Sequence, residues 1–175
     1  QREQNENLES LGSNYVLALL IVYILLAIPF KSYIQPLVVM SAIPFGIIGA
    51  VIGHLLLGMN FTILSMIGIV ALSGVVVNDS LVLVDFINRY HNEGKSIRDA
   101  AIESGQARFR PILLTSITTF VGLVPLLLEK SLQAQFLIPM AVSLGFGVLF
   151  STFITLILVP NSVIIIDQIR TKFSR

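Results

Sequence analysis

Polar side chains that could bind and release a proton lie in the middle of one long run of apolar residues. Asp79, between Asn78 and Ser80, lies about halfway along it. If the run spans a membrane, a carboxylate there costs on the order of 3 kcal/mol, which marks a functional site. The alternative is a neutral, hydrogen-bonded packing residue. Asp85 is a second candidate, but Arg89 follows it by four residues, and this spacing favours an ion pair at the end of the helix.

A second polar set begins about 30 residues further along the chain. Its members are spaced by seven, four and three residues, which places them on one stripe of a helix. They are Arg108, Thr115, Thr119 and Gly122. Such a stripe suits a partner for Asp79, although threonine hydroxyls also bond the backbone of their own helix. We predict a proton or ion relay of Asp79, Asn78, Thr115 and Arg108, with Asp85, Thr119 and Ser80 as secondary candidates.

The same residues argue against an enzyme. Asp79 and Asp85 on one helix would lie about 9 Å apart along the axis and roughly 120° apart around it, which does not suit an aspartyl protease. The sequence has no Gly-x-Ser-x-Gly and no phosphate-binding glycine loop. It also has no cysteine, which excludes disulfides and thiolate metal sites. We expect no cofactor and no metal.

The composition indicates a membrane protein. Hydrophobic residues make up 55% of the 175 residues and charged residues only 12%, and the net charge of +1 gives no reason to expect nucleic acid. Five runs are long enough to cross a bilayer as helices. They cover residues 15–30, 37–57, 61–90, 110–128 and 135–166. The predicted fold class is therefore an all-α membrane protein, with a transmembrane bundle over residues 15–168.

The cations predict the orientation. With the N-terminus outside, nine of the eleven Lys and Arg residues lie on the cytoplasmic side, as the positive-inside rule requires. They are Lys31, Arg89, Lys95, Arg98, Arg108, Arg110, Arg170, Lys172 and Arg175. Arg2 and Lys130 are outside. Residues 1–14 are then a polar segment on the outer side of the membrane, unlike a signal peptide, and residues 169–175 are a basic cytoplasmic tail. We expect the chain to be a piece of a larger membrane protein.

Three local patterns predict structure between and within the spans. In the cytoplasmic connection 91–107, Ser96 and Asp99 resemble a capping box that opens a short interfacial helix. Gly46, Gly49 and Gly53 favour close helix packing. His54, near the outer end of the second span, fits an interfacial or helix-contact role better than a titrating one.

Several motifs resemble the resistance-nodulation-division (RND) exporters. Residues 74–86, GVVVNDSLVLVDF, look like the central helix motif of that family. Residues 108–116, RFRPILLTS, resemble the start of the next helix in the second half of those proteins, and residues 122–126 and 145–160 continue the match. The best fit is the hydrophobe/amphiphile efflux branch, the AcrB-like multidrug pumps. The chain would correspond to transmembrane helices eight to twelve, close to half of a twelve-helix domain.

The resemblance implies a function for the complete protein. It implies a proton-driven secondary transporter of the Gram-negative inner membrane, powered by the proton gradient. It also implies a homotrimer with a periplasmic adaptor and an outer-membrane channel. In the family the main proton site, a pair of aspartates, lies in the first half of the transporter, which is a further partner. The second half contributes a lysine, a threonine and an arginine. Thr115 and Arg108 match the last two, whereas Asn78 occupies the lysine position.

Two other interpretations remain open. The same membrane domain serves metal and lipid exporters, and the periplasmic domains that select the substrate are not in this sequence. From a different class, the chain could be a structural membrane bundle without transport activity.

Overall fold

The computed structural model describes the backbone of residues 2–173 and the side chains of residues 9–172. This part of the chain consists of helices joined by short turns. The helices are α1 (Arg2–Phe30), α2 (Gln35–Met40), α3 (Ile43–Leu56), α4 (Ile63–Asn92), α5 (Ile97–Leu127) and α6 (Leu132–Phe173). The side chains of residues 1–8 and 173–175 lie outside the described residues. They include Arg2, Arg175 and parts of the predicted polar ends.

Five stretches are long and apolar enough to cross a membrane, which confirms the predicted number. They are Glu9–Phe30, Gln35–Leu56, Ile63–Asn92, Ile97–Leu127 and Leu132–Lys172. The all-α class is confirmed with them. The assignment of residues 1–14 and 169–175 to the two sides of the membrane stays a prediction.

The chain forms two compact units, of which the first covers Gln1–Leu37. It contains α1 and the turn that follows. Lys31 ends α1 in the left-handed conformation, with a φ of 48°, and its N–H bonds the Ile28 carbonyl at 3.4 Å. The Tyr23 hydroxyl donates to the Tyr33 carbonyl at 3.0 Å. This hydrogen bond therefore holds the segment after α1 against the C-terminal end of that helix.

The second unit, Val38–Arg175, is organised around α6. This 42-residue helix contacts α3, α4 and α5, and at 1.5 Å per residue it is about 63 Å long, twice the hydrocarbon thickness of a bilayer. A buried cluster joins the helices at the centre. It consists of Ala42, Ala50, Leu72, Val76 and Val148.

Glycine lets α3 and α6 approach closely, as the sequence predicts. A Cβ added to Gly49 would lie 2.5 Å from Cβ of Phe150 and 2.9 Å from the Phe146 carbonyl oxygen. One added to Gly53 would lie 2.6 Å from Cβ of Phe146. Both glycines are buried. Backbone contact at these positions requires the absence of a side chain.

The second predicted span is divided into two helices. α2 ends at Met40 and α3 begins at Ile43, after a two-residue turn at residues 41–42. Pro44 lies at the start of α3. Its ring fits the first helical turn, where no N–H is needed, but it cannot continue the hydrogen bonding of a preceding helix.

The predicted short interfacial helix is not separate from the fourth span. Ser96 caps a helix as predicted, with its hydroxyl accepting from the Asp99 N–H at 3.1 Å. That helix, α5, continues without a break from Ile97 to Leu127. The residues between Asp99 and Arg110 contain no C-cap signal apart from Gly105, and Ala, Glu, Gln and Arg favour helix. The connection is thus four residues, 93–96, instead of 91–107.

Side chains of α4 and α5 hold this short connection. The Nδ1–H of His91 donates to the Lys95 carbonyl at 2.9 Å. The Lys95 ammonium pairs with Glu103 and lies 4.5 Å from the centroid of the Tyr90 ring. The hydrogen bond that the ammonium donates to the Glu103 carboxylate raises the pKa of Lys95 above its ordinary value.

Candidate functional site

Helix α4 carries the acidic candidates. Thr62 caps its start by accepting the Ser65 N–H at 3.2 Å. Asp79 lies 16 residues after Ile63, about 24 Å along this 30-residue helix. Asp79 is half-buried, whereas its neighbour Ser80 is fully buried.

Asn78 and Asp85 share the exposed side of α4. The predicted pairing of Asp85 with Arg89 is wrong, because Arg89 pairs with Glu93 instead, at 3.5 Å from Nε to Oε1. Glutamate is one methylene longer than aspartate and reaches the guanidinium across one helical turn.

One contact shows the relative register of α4 and α5. The Arg108 guanidinium carbon lies 3.6 Å from the centroid of the Phe86 ring, a cation–π contact. The two helices are antiparallel, and seven residues advance each by about 10 Å on nearly the same face. Asp79 lies seven residues before Phe86, and Thr115 lies seven after Arg108. Asp79 and Thr115 therefore lie at the same depth in the bundle, because each is seven residues from the Phe86–Arg108 contact and on the same side of it.

The threonine hydroxyls at this depth bond their own helix. Thr115 donates to the Pro111 carbonyl at 2.9 Å, and Thr119 donates to the Thr115 carbonyl at 2.8 Å. Thr115 is exposed and Thr119 is half-buried. Among the described side chains, no hydrogen bond joins this stripe to Asp79. The structure therefore aligns the two sets without connecting them.

Two candidate residues keep unused hydrogen-bonding capacity. The Ser80 hydroxyl and the Arg108 Nε are buried and have no partner among the described residues. A buried polar atom without a partner is costly. Each of these two atoms is therefore left without a hydrogen bond in this arrangement of the helices.

The side of the bundle that carries these residues has open space. A Cβ added to Gly74 on α4, or to Gly122 on α5, would meet no atom within 4 Å. Gly74, Gly122 and Ala71 are exposed, like Asn78 and Thr115. We call this surface the α4/α5 face and define it by Ala71, Gly74, Asn78, Thr115 and Gly122. It differs from the glycine contacts of α3, which α6 fills.

Two polar links join neighbouring helices, and the first of them was not predicted from the sequence. Ser116 on α5 and Thr152 on α6 lie 2.5 Å apart, and both are buried. The hydroxyl-rich stretch in the middle of the last span was the available signal. His54 on α3 contacts Ser65 on α4 at 2.8 Å.

His54 takes the helix-contact role, one of the two that the sequence left open. It is 2% exposed. Its Nδ1 lies 2.9 Å from the Ala50 carbonyl, so this nitrogen carries a hydrogen, and Nε2 faces the Ser65 hydroxyl. The ring also lies 4.6 Å from the Phe61 ring, centroid to centroid. His54 therefore ties the end of α3 to the start of α4.

Curated relatives match nearly the whole chain. The swarming motility protein SwrC of Bacillus subtilis (strain 168) is 34% identical over 171 residues, which is 97% of this chain and 16% of SwrC. The multidrug resistance protein MdtC of Serratia proteamaculans (strain 568) is 33% identical over 171 residues, 95% of this chain and 17% of MdtC. The chain thus spans about one sixth of the length of these relatives.

Solved structures agree with the sequence match. The crystal structure of a heavy metal efflux pump superimposes with a TM-score of 0.86 at 26% identity, over 95% of this chain and 17% of the pump. The family model of AcrB, AcrD and AcrF matches residues 1–167. The chain belongs to the AcrB/AcrD/AcrF family of RND proteins.

Proposed function

We propose that this chain is the distal membrane part of a proton-driven RND efflux transporter, and that Asp79 binds a proton during transport. The observation that carries the proposal is the alignment of α4 and α5. The Arg108–Phe86 contact puts Asp79 and Thr115 at one depth, beside a surface that this chain leaves open.

The open surface indicates where the rest of the transporter packs. Small residues on the α4/α5 face permit a helix to approach closely, as Gly49 and Gly53 do for α6. The relatives are about six times longer than this chain. The occupant we propose is a helix from the first half of the same transporter, which would enclose Asp79.

Protonation would then change the packing. With the carboxylate ionised, an enclosed Asp79 favours an arrangement in which donors face it. With the carboxyl neutral, that preference is lost, so the proton biases the equilibrium between two arrangements of the helices. Asn78 and Thr115 supply donor groups on the α4/α5 face. A rearrangement of the helices would also let the buried Arg108 Nε and Ser80 hydroxyl form hydrogen bonds, since neither has a partner among the described residues.

The surroundings that we propose for the complete protein are those that the resemblance to the RND exporters implies. We propose a bacterial inner-membrane protein with a periplasmic N-terminal end and a cytoplasmic C-terminal end in this part of the chain. The homotrimer, the periplasmic adaptor and the outer-membrane channel are proposed on the same grounds. The placement of Lys and Arg in the sequence supports the orientation.

Drugs or other amphiphiles are the substrate class we propose, because MdtC is named a multidrug resistance protein. The alternative is metal ions, which the name of the superimposed heavy metal efflux pump favours. A panel of toxic compounds separates the two. Expression of the complete protein in a pump-deficient strain should raise tolerance to ethidium and deoxycholate, whereas a metal exporter would raise tolerance to zinc or copper salts.

The proton role is tested with Asp79→Asn in the complete protein. The amide keeps the size of the side chain and removes the titration. We expect tolerance to fall to that of cells without the pump, at unchanged expression. Asp167→Asn is the matched control, since Asp167 is a half-buried aspartate near the end of α6. Full tolerance in Asp79→Asn cells would contradict the proposal.

A further inference from the structure

A cavity in the first unit contains a lysine, Lys31, that forms no ion pair with any described side chain. Its volume is about 430 Å³. It lies between the last two turns of α1 and the turn that folds back against them. The lining residues are Tyr23, Ile24, Ala27, Ile28, Lys31, Ser32 and Tyr33. We call it the α1 cavity.

The shape of the α1 cavity depends on two local features. Lys31 takes a left-handed backbone conformation, which residues with a Cβ rarely adopt and which reverses the chain at this point. The hydrogen bond from the Tyr23 hydroxyl to the Tyr33 carbonyl, at 3.0 Å, then fixes the returning segment. The cavity is therefore held by a specific turn and a specific side-chain bond.

None of the described acidic side chains balances the charge of Lys31. The acidic residues of this unit are Glu3, Glu6 and Glu9. Glu9 lies 22 residues before Lys31, about 33 Å along α1, and no ion pair of Lys31 is found among the described side chains. The cation is thus available to an anion that enters the cavity.

The rest of the lining is suited to lipid. Ile24 and Ile28, which line the cavity together with the turn, are 58% and 69% exposed. Tyr33 is 79% exposed. The cavity lies at the end of a helix long enough to span a bilayer. Lysine and tyrosine at such an end lie at the level of the lipid headgroups.

We propose that the α1 cavity binds the headgroup of an anionic phospholipid, in the leaflet that contains the Lys31 end of α1. The phosphate contacts the Lys31 ammonium, and one acyl chain follows Ile24 and Ile28 along α1. This is the cytoplasmic leaflet in the orientation proposed above, but the site itself does not depend on that orientation.

The test is competition for labelling at the cavity in the complete protein, reconstituted in nanodiscs. A phosphatidylglycerol with a diazirine in its acyl chain should label the peptide that contains Ile24 and Ile28. Unlabelled phosphatidylglycerol should compete at about one fifth of the mole fraction that phosphatidylcholine needs, which corresponds to ~1 kcal/mol. Inorganic phosphate should not compete, because the site binds lipid.

Variants distinguish binding by the Lys31 cation from a general attraction between anionic lipids and the positive charges of the protein. Lys31→Gln should abolish the preference, so that both lipids compete equally, and Lys31→Arg should restore it. Lys130→Gln, which removes an exposed lysine elsewhere, should behave as the wild type. An unchanged preference in Lys31→Gln overturns the proposal. In the wild-type protein, two results also overturn it: labelling confined to other peptides, or a carbodiimide cross-link between Lys31 and a carboxylate of the complete protein.

Discussion

The contact between α3 and α6 predicts that Gly49→Ala destabilises the protein. The new Cβ would lie 2.5 Å from Cβ of Phe150, 2.9 Å from the Phe146 carbonyl oxygen and 3.1 Å from Cα of Gly147. These three atoms belong to the backbone or are attached to it directly. A rotamer change cannot relieve the clash, and the helices must separate.

The expected cost follows from this geometry. Carbon atoms pack best at about 3.5–4.0 Å, so α3 and α6 must move apart by about 1 Å. Overpacking of this kind costs about 1–3 kcal/mol, and the helix propensity of alanine returns about 1 kcal/mol. Since the contacts are with backbone, the upper end of the range applies. The net loss is about 2 kcal/mol.

Gly105→Ala is the matched control. Gly105 is inside α5, and an added Cβ there meets no atom within 4 Å. We expect this variant to gain up to about 1 kcal/mol from helix propensity. Thermal unfolding of the complete protein in detergent compares the two. The two variants should differ by about 3 kcal/mol, from a loss of about 2 kcal/mol in one and a gain of about 1 kcal/mol in the other, so Gly49→Ala should unfold at the lower temperature. Equal midpoints would refute the close approach of α3 and α6.

Three further changes test other contacts. Ser116→Val and Thr152→Val should be coupled by about 0.6–1.7 kcal/mol in a double-mutant cycle of unfolding, whereas independent effects would mean that the two hydroxyls do not bond. His54→Leu should lower the free energy of unfolding by about 1 kcal/mol through loss of the Ser65 bond, and the exposed His91→Leu should cost less. Glu103→Gln should lower the pKa of Lys95 toward its ordinary value, followed by NMR titration of its ε-methylene carbon. In the wild type, the Lys95–Glu103 ion pair should be present at neutral pH and should be lost as the pH rises through the raised pKa of Lys95. An unchanged pKa of Lys95 in Glu103→Gln would contradict this ion pair.

Sequence alone predicts the helices well, because a membrane span leaves few alternatives. Long apolar runs must satisfy their backbone internally, so five runs become helices. The boundaries depend on weaker signals. Ser96 marks the start of α5, but the helix-favouring residues between Asp99 and Arg110 do not by themselves show that this helix continues into the next span. Only the structure shows one continuous α5.

The candidate site is predicted in part. Spacing correctly places Asn78 on one side of α4 and Asp79 on another, since helical periodicity fixes direction. The register between α4 and α5 could not be predicted, because it depends on the contact of Arg108 with Phe86. The Ser116–Thr152 link was missed for a similar reason. A hydroxyl in an apolar helix bonds either its own backbone or another helix, and the sequence does not decide.

The measurement that tests the central claim most directly is proton movement through the complete protein in liposomes. A pH gradient is imposed, a pH-sensitive dye is enclosed, and transport is started with whichever tested compound the protein exports. We predict proton flux coupled to transport in the wild type and in Asp167→Asn, and none in Asp79→Asn. Equal coupled flux in Asp79→Asn would contradict the role of this carboxyl group.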